Sequence, residues 1–154
     1  MKKKIIYIVT CFFLTHLCYA QGTRLLRDPD LSQSHITFTY ASDVWIVKKT
    51  GGLAKRITST AAIESTPYFS PDGKWIAFTS NKSGSQAVYV VSANGGAAKQ
   101  LTWHPSGASV RGWANDGKHI LFASSRDTAP RPYNRLWTIS VDGGVPNLLS
   151  SQWG

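Results

Sequence analysis

A turn signal followed directly by a short strand, at residues 70–80, is the feature that most constrains the fold. The segment reads Ser-Pro-Asp-Gly-Lys-Trp-Ile-Ala-Phe-Thr-Ser. Pro71 presets φ for the second position of a turn, and Gly73 supplies the positive φ that a type I turn closing into a bulged hairpin needs. Asp72 tolerates the position between them. The segment therefore predicts a hairpin, with its incoming strand at residues 65–69.

The same unit recurs along the chain at a nearly constant spacing. Asp72-Gly73 is repeated 44 residues later as Asp116-Gly117. The pair Gly95-Gly96 has counterparts 44 residues earlier, at Gly51-Gly52, and 48 residues later, at Gly143-Gly144. A period of about 40 to 50 residues with four short strands per unit is typical of a β-propeller. A β-sandwich built from similar hairpins is the alternative.

We therefore expect an all-β fold, namely a β-propeller of four-stranded antiparallel blades with about three blades present. Blade 1 is expected at about residues 24–58, blade 2 at about 65–102 and blade 3 at about 110–150. No segment after residue 20 shows a helical period. Closed propellers have about four to eight blades, so three blades would leave two open edges. Because open strand edges recruit partners, we expect aggregation or the pairing of two copies into a six-bladed dimer.

The first 20 residues have the pattern of a secretory signal peptide. Three lysines at positions 2–4 precede the apolar run Ile5–Leu14, and Ala20 is a small residue before a cleavage site at Gln21. A lipoprotein signal, with Cys18 as the lipidated residue, is the alternative. We expect an exported and periplasmic protein without an integral membrane span once the signal is removed.

Removal of the signal would also change the cysteine content and the charge. Both cysteines, Cys11 and Cys18, lie within it, so the mature chain could form neither a disulfide nor a cysteine-ligated metal site. The formal charge of +9 would fall to +6 with the loss of three lysines. The remaining charges are scattered singly rather than clustered with aromatic residues, which argues against a nucleic-acid partner.

The first unit departs from the repeat at its leading turn. The alignment puts Gln33 where the second unit has Gly73. Either this turn is of a different type, or Gln33 adopts a left-handed conformation at a cost of about 1 kcal/mol. Asp28 and Asp30 lie just before this turn, but two carboxylates are too few for a calcium site, so we expect a structural use.

Two kinds of loop alternate in a four-stranded meander, one kind on each side of the blades. The turns after strands one and three are tight and repeated, which indicates structural turns; their key residues are Asp72, Gly73, Asp116, Gly117, Gly95 and Gly96. The other loops vary, and variable loops on a rigid scaffold are where binding usually resides. The candidate contacts for a peptide or partner are Arg126, Arg131, Tyr133 and Arg135, in the longest loop, and His104 in a blade-to-blade loop. A solvated loop without a ligand is the alternative.

No catalytic constellation is apparent. No serine stands in a Gly-x-Ser-x-Gly elbow, and the spacing of His35, His104 and His119 would not pair them with a nucleophile or a zinc ion. We therefore expect no catalytic residue, no metal site and no cofactor within this chain.

Two further expectations concern packing. The tryptophans near strand ends are expected to be wedges between blades rather than a ligand platform; they are Trp45, Trp75, Trp113 and Trp137. Gly107 lies in a variable loop without a repeat counterpart, so valine should be tolerated there better than at Gly73.

Residues 70–80 resemble the propeller repeat shared by TolB-type proteins and tricorn-type proteases. Residues 22–32, together with Asp43–Val47, Leu101–Pro105 and Asp142–Pro146, look more like the start of a tricorn-type protease. The resemblance covers residues 22–149, and Gln33, where the family tends to have glycine, is the clearest departure from it.

The resemblance implies a six-bladed propeller that is followed, in the family, by a second propeller, a PDZ domain and a serine-peptidase domain bearing the nucleophile. It implies that this chain is a non-catalytic part of an exported serine peptidase, gating or channelling peptides. Its implied partners are peptides or the remaining domains of a larger peptidase, and no residue here matches the family's catalytic motif. A TolB-like periplasmic interaction module is the alternative, which fits the repeats and the export signal but not the opening segment.

Overall fold

The computed structural model describes residues 25–149. Within this range the chain forms twelve β-strands and no helix. The strands make three separate four-stranded antiparallel sheets, and each sheet follows chain order. The predicted all-β propeller architecture is confirmed, and within the described residues the sheets do not close into a ring. The predicted signal peptide, with its cleavage site at Gln21, lies outside the described residues.

The three sheets are the blades of the propeller. Blade 1 contains β1 (Arg27–Leu31), β2 (His35–Tyr40), β3 (Asp43–Lys48) and β4 (Lys55–Arg56). Blade 2 contains β5 (Glu64–Phe69), β6 (Trp75–Ser80), β7 (Ala87–Ser92) and β8 (Lys99–Gln100). Blade 3 contains β9 (Ser109–Trp113), β10 (His119–Ser124), β11 (Arg135–Ser140) and β12 (Asn147–Leu148).

The Pro-Asp-Gly turn of blade 2 closes a hairpin around a left-handed glycine, as its sequence predicts. Gly73 has a φ of 71°, and its N–H donates to the carbonyl of Ser70 at 2.8 Å. The Ser70 hydroxyl donates to the carboxylate of Asp72 at 2.6 Å and accepts from the N–H of Trp75 at 3.0 Å. Blade 3 repeats the turn with Gly117 at a φ of 65°.

The leading turn of blade 1 is of a different type, and this decides between the two possibilities at Gln33. The N–H of Ser32 donates to the carbonyl of His35 at 2.9 Å, whereas the corresponding bond in blade 2 joins Ser70 to Trp75. The hairpin of blade 1 therefore closes over a shorter loop. Gln33 does not have a positive φ, so it carries no left-handed strain.

The expectation that Gly107 lies in an undemanding loop is wrong. Gly107 has a φ of 74°, in the left-handed region. A Cβ at this position would lie 3.5 Å from the backbone oxygen of Gln86. The reason is local: the loop turns back so that the N–H of Ala108 can donate to this same oxygen at 2.8 Å.

The core consists of two clusters, each between neighbouring blades. The cluster between blades 1 and 2 includes Val44, Ile46 and Ile57 from blade 1 and Ile76, Phe78, Tyr89 and Val91 from blade 2. The cluster between blades 2 and 3 includes Ala77, Val88, Val90 and Leu101 from blade 2 and Ile120, Phe122, Trp137 and Ile139 from blade 3. Alternate residues of β6 and β7 thus face opposite neighbours, which explains why these strands are almost continuously apolar.

Two of the four tryptophans expected as wedges lie at a blade junction. Trp137 is 6% exposed, and Trp113 donates its indole N–H to a β5 carbonyl at 2.9 Å across the junction. Trp45 occupies the repeat position of Tyr89 and Trp137, which face the preceding blade, and the described residues include no blade on that side of blade 1, so its role as a wedge stays a prediction. Its indole N–H donates at 3.0 Å to a carbonyl of its own blade. The expectation is wrong for Trp75. Trp75 is 42% exposed because it is the first residue of β6, at the end of the sheet next to the turn.

Asp28 and Asp30 join the innermost strands of blades 1 and 2. The carboxylate of Asp30 accepts from the N–H of Phe69 at 2.8 Å, and that of Asp28 accepts from the N–H of Thr66 at 3.2 Å. Both aspartates therefore have the structural use that the sequence predicts.

The outer face of blade 3 has no neighbour within the described residues. Val44 and Val88 are fully buried at the two junctions, but Leu136, at the same repeat position, is 47% exposed. Leu101 is 1% exposed, whereas its counterpart Leu149 is 48% exposed. Blade 3 thus exposes the surface that blades 1 and 2 bury.

Candidate functional site

Two of the five predicted contact residues, His104 and Arg126, come together at a groove between blades 2 and 3. This groove, the blade 2–3 groove, has a volume of about 310 Å³. Its other lining residues are Leu101, Thr102, Trp103, Pro105, Gly144 and Pro146. Arg131, Tyr133 and Arg135 do not line it.

Arg126 is positioned in the groove mainly by packing. Its guanidinium carbon lies 5.0 Å from the centroid of the Trp137 ring, a distance at which the ring face attracts a cation. Its Nε is 3.9 Å from the carboxylate of Asp127 and makes no hydrogen bond within the described residues. The side chain, which is 19% exposed, therefore brings a positive charge to the groove, while its Nε itself is buried.

His104 reaches the groove from the loop between β8 and β9. Its Nδ1 accepts a hydrogen bond from the N–H of Ser106 at 3.2 Å. A neutral ring that accepts at Nδ1 carries its proton on Nε2, which makes Nε2 a donor. Next to it, Trp103 is 67% exposed and forms an apolar wall with Pro105 and Pro146. The groove thus combines two donors, one of them cationic, with apolar surface.

The remaining predicted contacts lie elsewhere. The long loop after β10 is anchored by Thr128, which is 5% exposed; its hydroxyl donates to the carbonyl of Ser125 at 2.5 Å and accepts from the N–H of Tyr133 at 3.3 Å. Arg131 and the side chain of Tyr133 are exposed on this loop. Arg135 is the half-buried first residue of β11. The five residues therefore do not form one site.

A second groove lies at the equivalent place between blades 1 and 2, with a volume of about 200 Å³. The repeat places Lys82 and Thr60 here, 44 residues before the arginine and the histidine of the blade 2–3 groove. Its distinctive residue is Glu64, which is 3% exposed. Burial raises the pKa of Glu64 above the ordinary value of 4.5, although hydrogen bonds from Thr58 and Thr60 oppose this shift.

Sequence reasoning missed Glu64 and Asp43, which are both buried near this groove. The counterparts of these two acids 44 residues further along the chain are Ala108 and Ala87. An acid at a position where the second repeat unit has alanine is the signal that could have identified each of them. One carboxylate oxygen of Asp43 lies 2.6 Å from the guanidinium of Arg56, and the other has no partner within the described residues.

The aspartates of the repeated turns have lowered pKa values because they accept hydrogen bonds. The imidazole of His119 and the N–H of Lys118 lower the pKa of Asp116 to about 2. The hydroxyl of Ser70 and the N–H of Lys74 lower the pKa of Asp72. Both carboxylates are engaged in closing their own turns.

The described residues contain one hydrogen bond between a serine hydroxyl and an imidazole ring, which the sequence did not lead us to expect. The hydroxyl of Ser34 lies 2.8 Å from Nδ1 of His35 in the leading turn of blade 1. Within residues 25–149 no carboxylate hydrogen-bonds to this ring, so the pair lacks the third group that orients a catalytic base.

The same range shows neither a metal cluster nor a membrane-spanning helix. No group of three or more His, Cys, Asp and Glu side chains between residues 25 and 149 could hold a metal ion. No helix within those residues is long and apolar enough to cross a membrane.

The sequence matches the family described as the tricorn protease N-terminal beta propeller domain over residues 23–154. Among curated proteins, a Protein TolB homolog from Chlorobium luteolum is 36% identical over 53 residues, which are 34% of this chain and 12% of that protein.

Solved structures show the same fold. The putative TolB from Agrobacterium tumefaciens matches with a TM-score of 0.70 at 21% identity, over 82% of this chain and 46% of that one. The crystal structure of the tricorn protease matches with a TM-score of 0.70 at 22% identity, over 81% of this chain and 13% of that one. The chain spans less than half the length of each of these proteins.

Proposed function

The chain belongs to the tricorn protease N-terminal β-propeller family, and on this premise we propose that it is a non-catalytic propeller segment of an exported tricorn-like serine peptidase. In this role it guides peptides to or from a catalytic domain that residues 1–154 do not include. The family match over residues 23–154 supports the peptidase context.

The blade 2–3 groove is the observation that carries the peptide-guiding role. An extended peptide presents carbonyl acceptors and apolar side chains, and the groove offers donors from Arg126 and His104 beside the exposed ring of Trp103. Variable loops on a rigid propeller are suited to this kind of recognition. Arg131, Tyr133 and Arg135 would extend the contact along the neighbouring loop.

Binding of fluorescein-labelled, unstructured decapeptides of random sequence, followed by fluorescence anisotropy, tests this role. Because hydrogen bonds to charged groups contribute about 1.5–3 kcal/mol, Arg126→Ala should weaken binding by roughly ten- to a hundred-fold. Lys82→Ala is the matched control, since Lys82 occupies the equivalent place in the other groove. Equal binding by the wild type and by Arg126→Ala would exclude the blade 2–3 groove as the peptide site.

Export is the second part of the proposal, and it depends on the signal-like pattern of residues 1–20. Cell fractionation with N-terminal sequencing of the mature protein tests it. The expected result is a periplasmic chain that begins at Gln21. A chain that begins at a lipidated Cys18 would favour the lipoprotein alternative, and a chain that keeps Met1 and stays in the cytosol would exclude export.

A TolB-like interaction module is the second candidate function. It is favoured by the 36% identity to a TolB homolog over 53 residues. Sequencing the genomic DNA beyond the codon for Gly154 separates the two candidates. A reading frame that continues into a peptidase domain supports the first, and one that continues only into further propeller repeats supports the second.

Self-association through the open blade faces is a third element of the proposal. Ile36 on blade 1 occupies the repeat position of Ile76 and Ile120, which pack on a preceding blade and are fully buried, yet Ile36 is only half-buried. The free face of blade 1 therefore has the pattern of a surface that accepts the outer face of another blade. Blade 3 of a second copy is the occupant that we propose.

A further inference from the structure

Glu64 and Asp43, near the junction between blades 1 and 2, are acids at repeat positions where the next unit has alanine. The two residues are 3% and 4% exposed. The corresponding positions of the next repeat unit are Ala108, which is 4% exposed in the cluster between blades 2 and 3, and Ala87, which is 2% exposed in the cluster between blades 1 and 2. The junction between blades 1 and 2 therefore buries the carboxyl group of Glu64 where the junction between blades 2 and 3 buries the methyl group of Ala108.

Glu64 connects the two blades through a short chain of hydrogen bonds. Its N–H, at the start of β5, donates to the carbonyl of Ser42 at 3.0 Å. Its carboxyl group accepts from the hydroxyls of Thr58 and Thr60. The hydroxyl of Thr58 also accepts from the N–H of Val44 in β3 at 2.8 Å. The state of the Glu64 carboxyl is thus linked to the edge of the neighbouring sheet.

Within the described residues no paired cation neutralises the carboxylate of Glu64. Arg56 lies 2.6 Å from the carboxylate of Asp43. Within residues 25–149 no cation forms an ion pair with Glu64. The other titratable side chains that line the cavities next to Glu64 are Arg27, Asp28, Tyr40, Lys82 and Tyr89.

Ionisation of Glu64 is therefore less favourable in the folded chain than it is for a solvated glutamate. Burial is the main cause of its raised pKa, and the nearby charge of Asp43 raises this pKa further. A carboxylate that loses its hydration without gaining a cation is destabilised relative to its protonated form.

We propose that the junction between blades 1 and 2 is a pH-sensitive latch, which is closed when Glu64 is protonated and loosened when Glu64 ionises. Because the folded pKa lies above 4.5, the stabilising contribution is complete below pH 4.5 and is lost as the pH rises through the folded pKa. The latch depends only on the fold and not on the proposed role in guiding peptides.

Amide hydrogen exchange on the full chain tests the latch without any substitution, because the two junctions contain matched hydrogen bonds. The N–H groups of Val44 and Glu64 report on the first junction. Those of Val88, which donates to Thr102, and Ala108, which donates to Gln86, report on the second. Between about pH 4 and pH 8, the hydrogen-exchange protection of the Val44 and Glu64 amides should fall by up to about tenfold per pH unit, until the pH passes the pKa of Glu64 in the folded chain. Protection of the second pair should stay constant, and equal pH dependence of both pairs would overturn the proposal.

Two variants sharpen the test. Glu64→Gln keeps the hydrogen-bonding shape without a titrating group and should abolish the pH dependence of the Val44 amide. The double variant Asp43→Ala with Glu64→Ala gives the first unit the alanines of the second unit, and its Val44 amide should be equally protected at every pH. A ¹³C titration of the Glu64 carboxyl in the wild type is the direct readout. A midpoint at or below 4.5, or an unchanged pH dependence in Glu64→Gln, would exclude the latch.

Discussion

The side-chain nitrogen of Lys55 lies 2.6 Å from the backbone carbonyl oxygen of Asn94, so the fourth strand of blade 1 is tied to a turn of blade 2. Lys99, 44 residues further along, lies 2.7 Å from the carbonyl oxygen of Asp142 in blade 3. Both carbonyls directly precede a Gly-Gly pair. The contact is therefore a clasp that belongs to the repeat, in which a fourth-strand lysine binds the third turn of the next blade.

The clasp predicts a measurable loss of stability when either lysine is removed. Lys55→Met and Lys99→Met keep the apolar stem but lose the donor, and each should cost about 0.5–1.5 kcal/mol. Urea denaturation of the full chain measures the effect. Lys118→Met is the control, because the side chain of this exposed lysine makes no hydrogen bond within the described residues. A control variant as unstable as the other two would mean that the clasp contributes nothing.

The positive φ of Gly73 predicts that valine is tolerated much less well at this position than at the neighbouring Lys74. Valine at Gly73 would have to adopt a φ of 71°, and its Cβ would lie 3.3 Å from the Cβ of Ser32 in blade 1. Gly73→Val should therefore destabilise the chain by about 1–3 kcal/mol. Lys74→Val is a better control than Gly107, because Lys74 is an exposed residue of the same turn without a positive φ. Equal denaturation midpoints for Gly73→Val and Lys74→Val would contradict the assignment of this turn.

The hydrogen bonds of Asp116 predict a loss of stability in acid. Because the pKa of Asp116 is lowered from 3.8 to about 2, its stabilising contribution is present above pH 3.8 and is lost as the pH falls through about 2. Asp116→Asn should remove this part of the pH dependence. A ¹³C titration of the Asp116 carboxyl and acid denaturation of both proteins are the measurements. Asp142→Asn, at an exposed residue whose carboxylate makes no hydrogen bond within residues 25–149, should leave the acid profile unchanged.

The strands and the repeated turns could be predicted from the sequence because their signals are local. Pro71, Asp72 and Gly73 determine a turn almost by themselves, and the alternation of apolar residues determines the strand that follows. Contacts between blades are harder to predict, since they depend on which repeat positions face each other. The lysine clasp was nevertheless visible in principle, as Lys55 and Lys99 are separated by the repeat length.

The candidate site was predicted only in part, for a physical reason that its residues make clear. His104 lies in the loop that joins blades 2 and 3, whereas Arg126 follows β10 and packs on Trp137, so the two residues meet in the blade 2–3 groove only through tertiary contacts. Arg131 is basic and Tyr133 is aromatic, so both resemble a contact residue in the sequence, but both lie on the exposed part of the loop. Composition identified the loop, whereas the direction of each side chain depends on tertiary contacts.

The exposed face of blade 3 predicts that residues 1–154, expressed alone, associate with a second copy. Leu136 occupies the position of two fully buried valines and is 47% exposed, so Leu136→Lys places a charge where the second copy would pack. We expect the wild type to show a mass that increases with concentration in size-exclusion chromatography with light scattering, and Leu136→Lys to remain monomeric. Leu53→Lys is the control, since Leu53 is fully exposed in a turn and has no role in a junction. A wild-type chain that stays monomeric and melts cooperatively would show that the open faces of blades 1 and 3 do not pair.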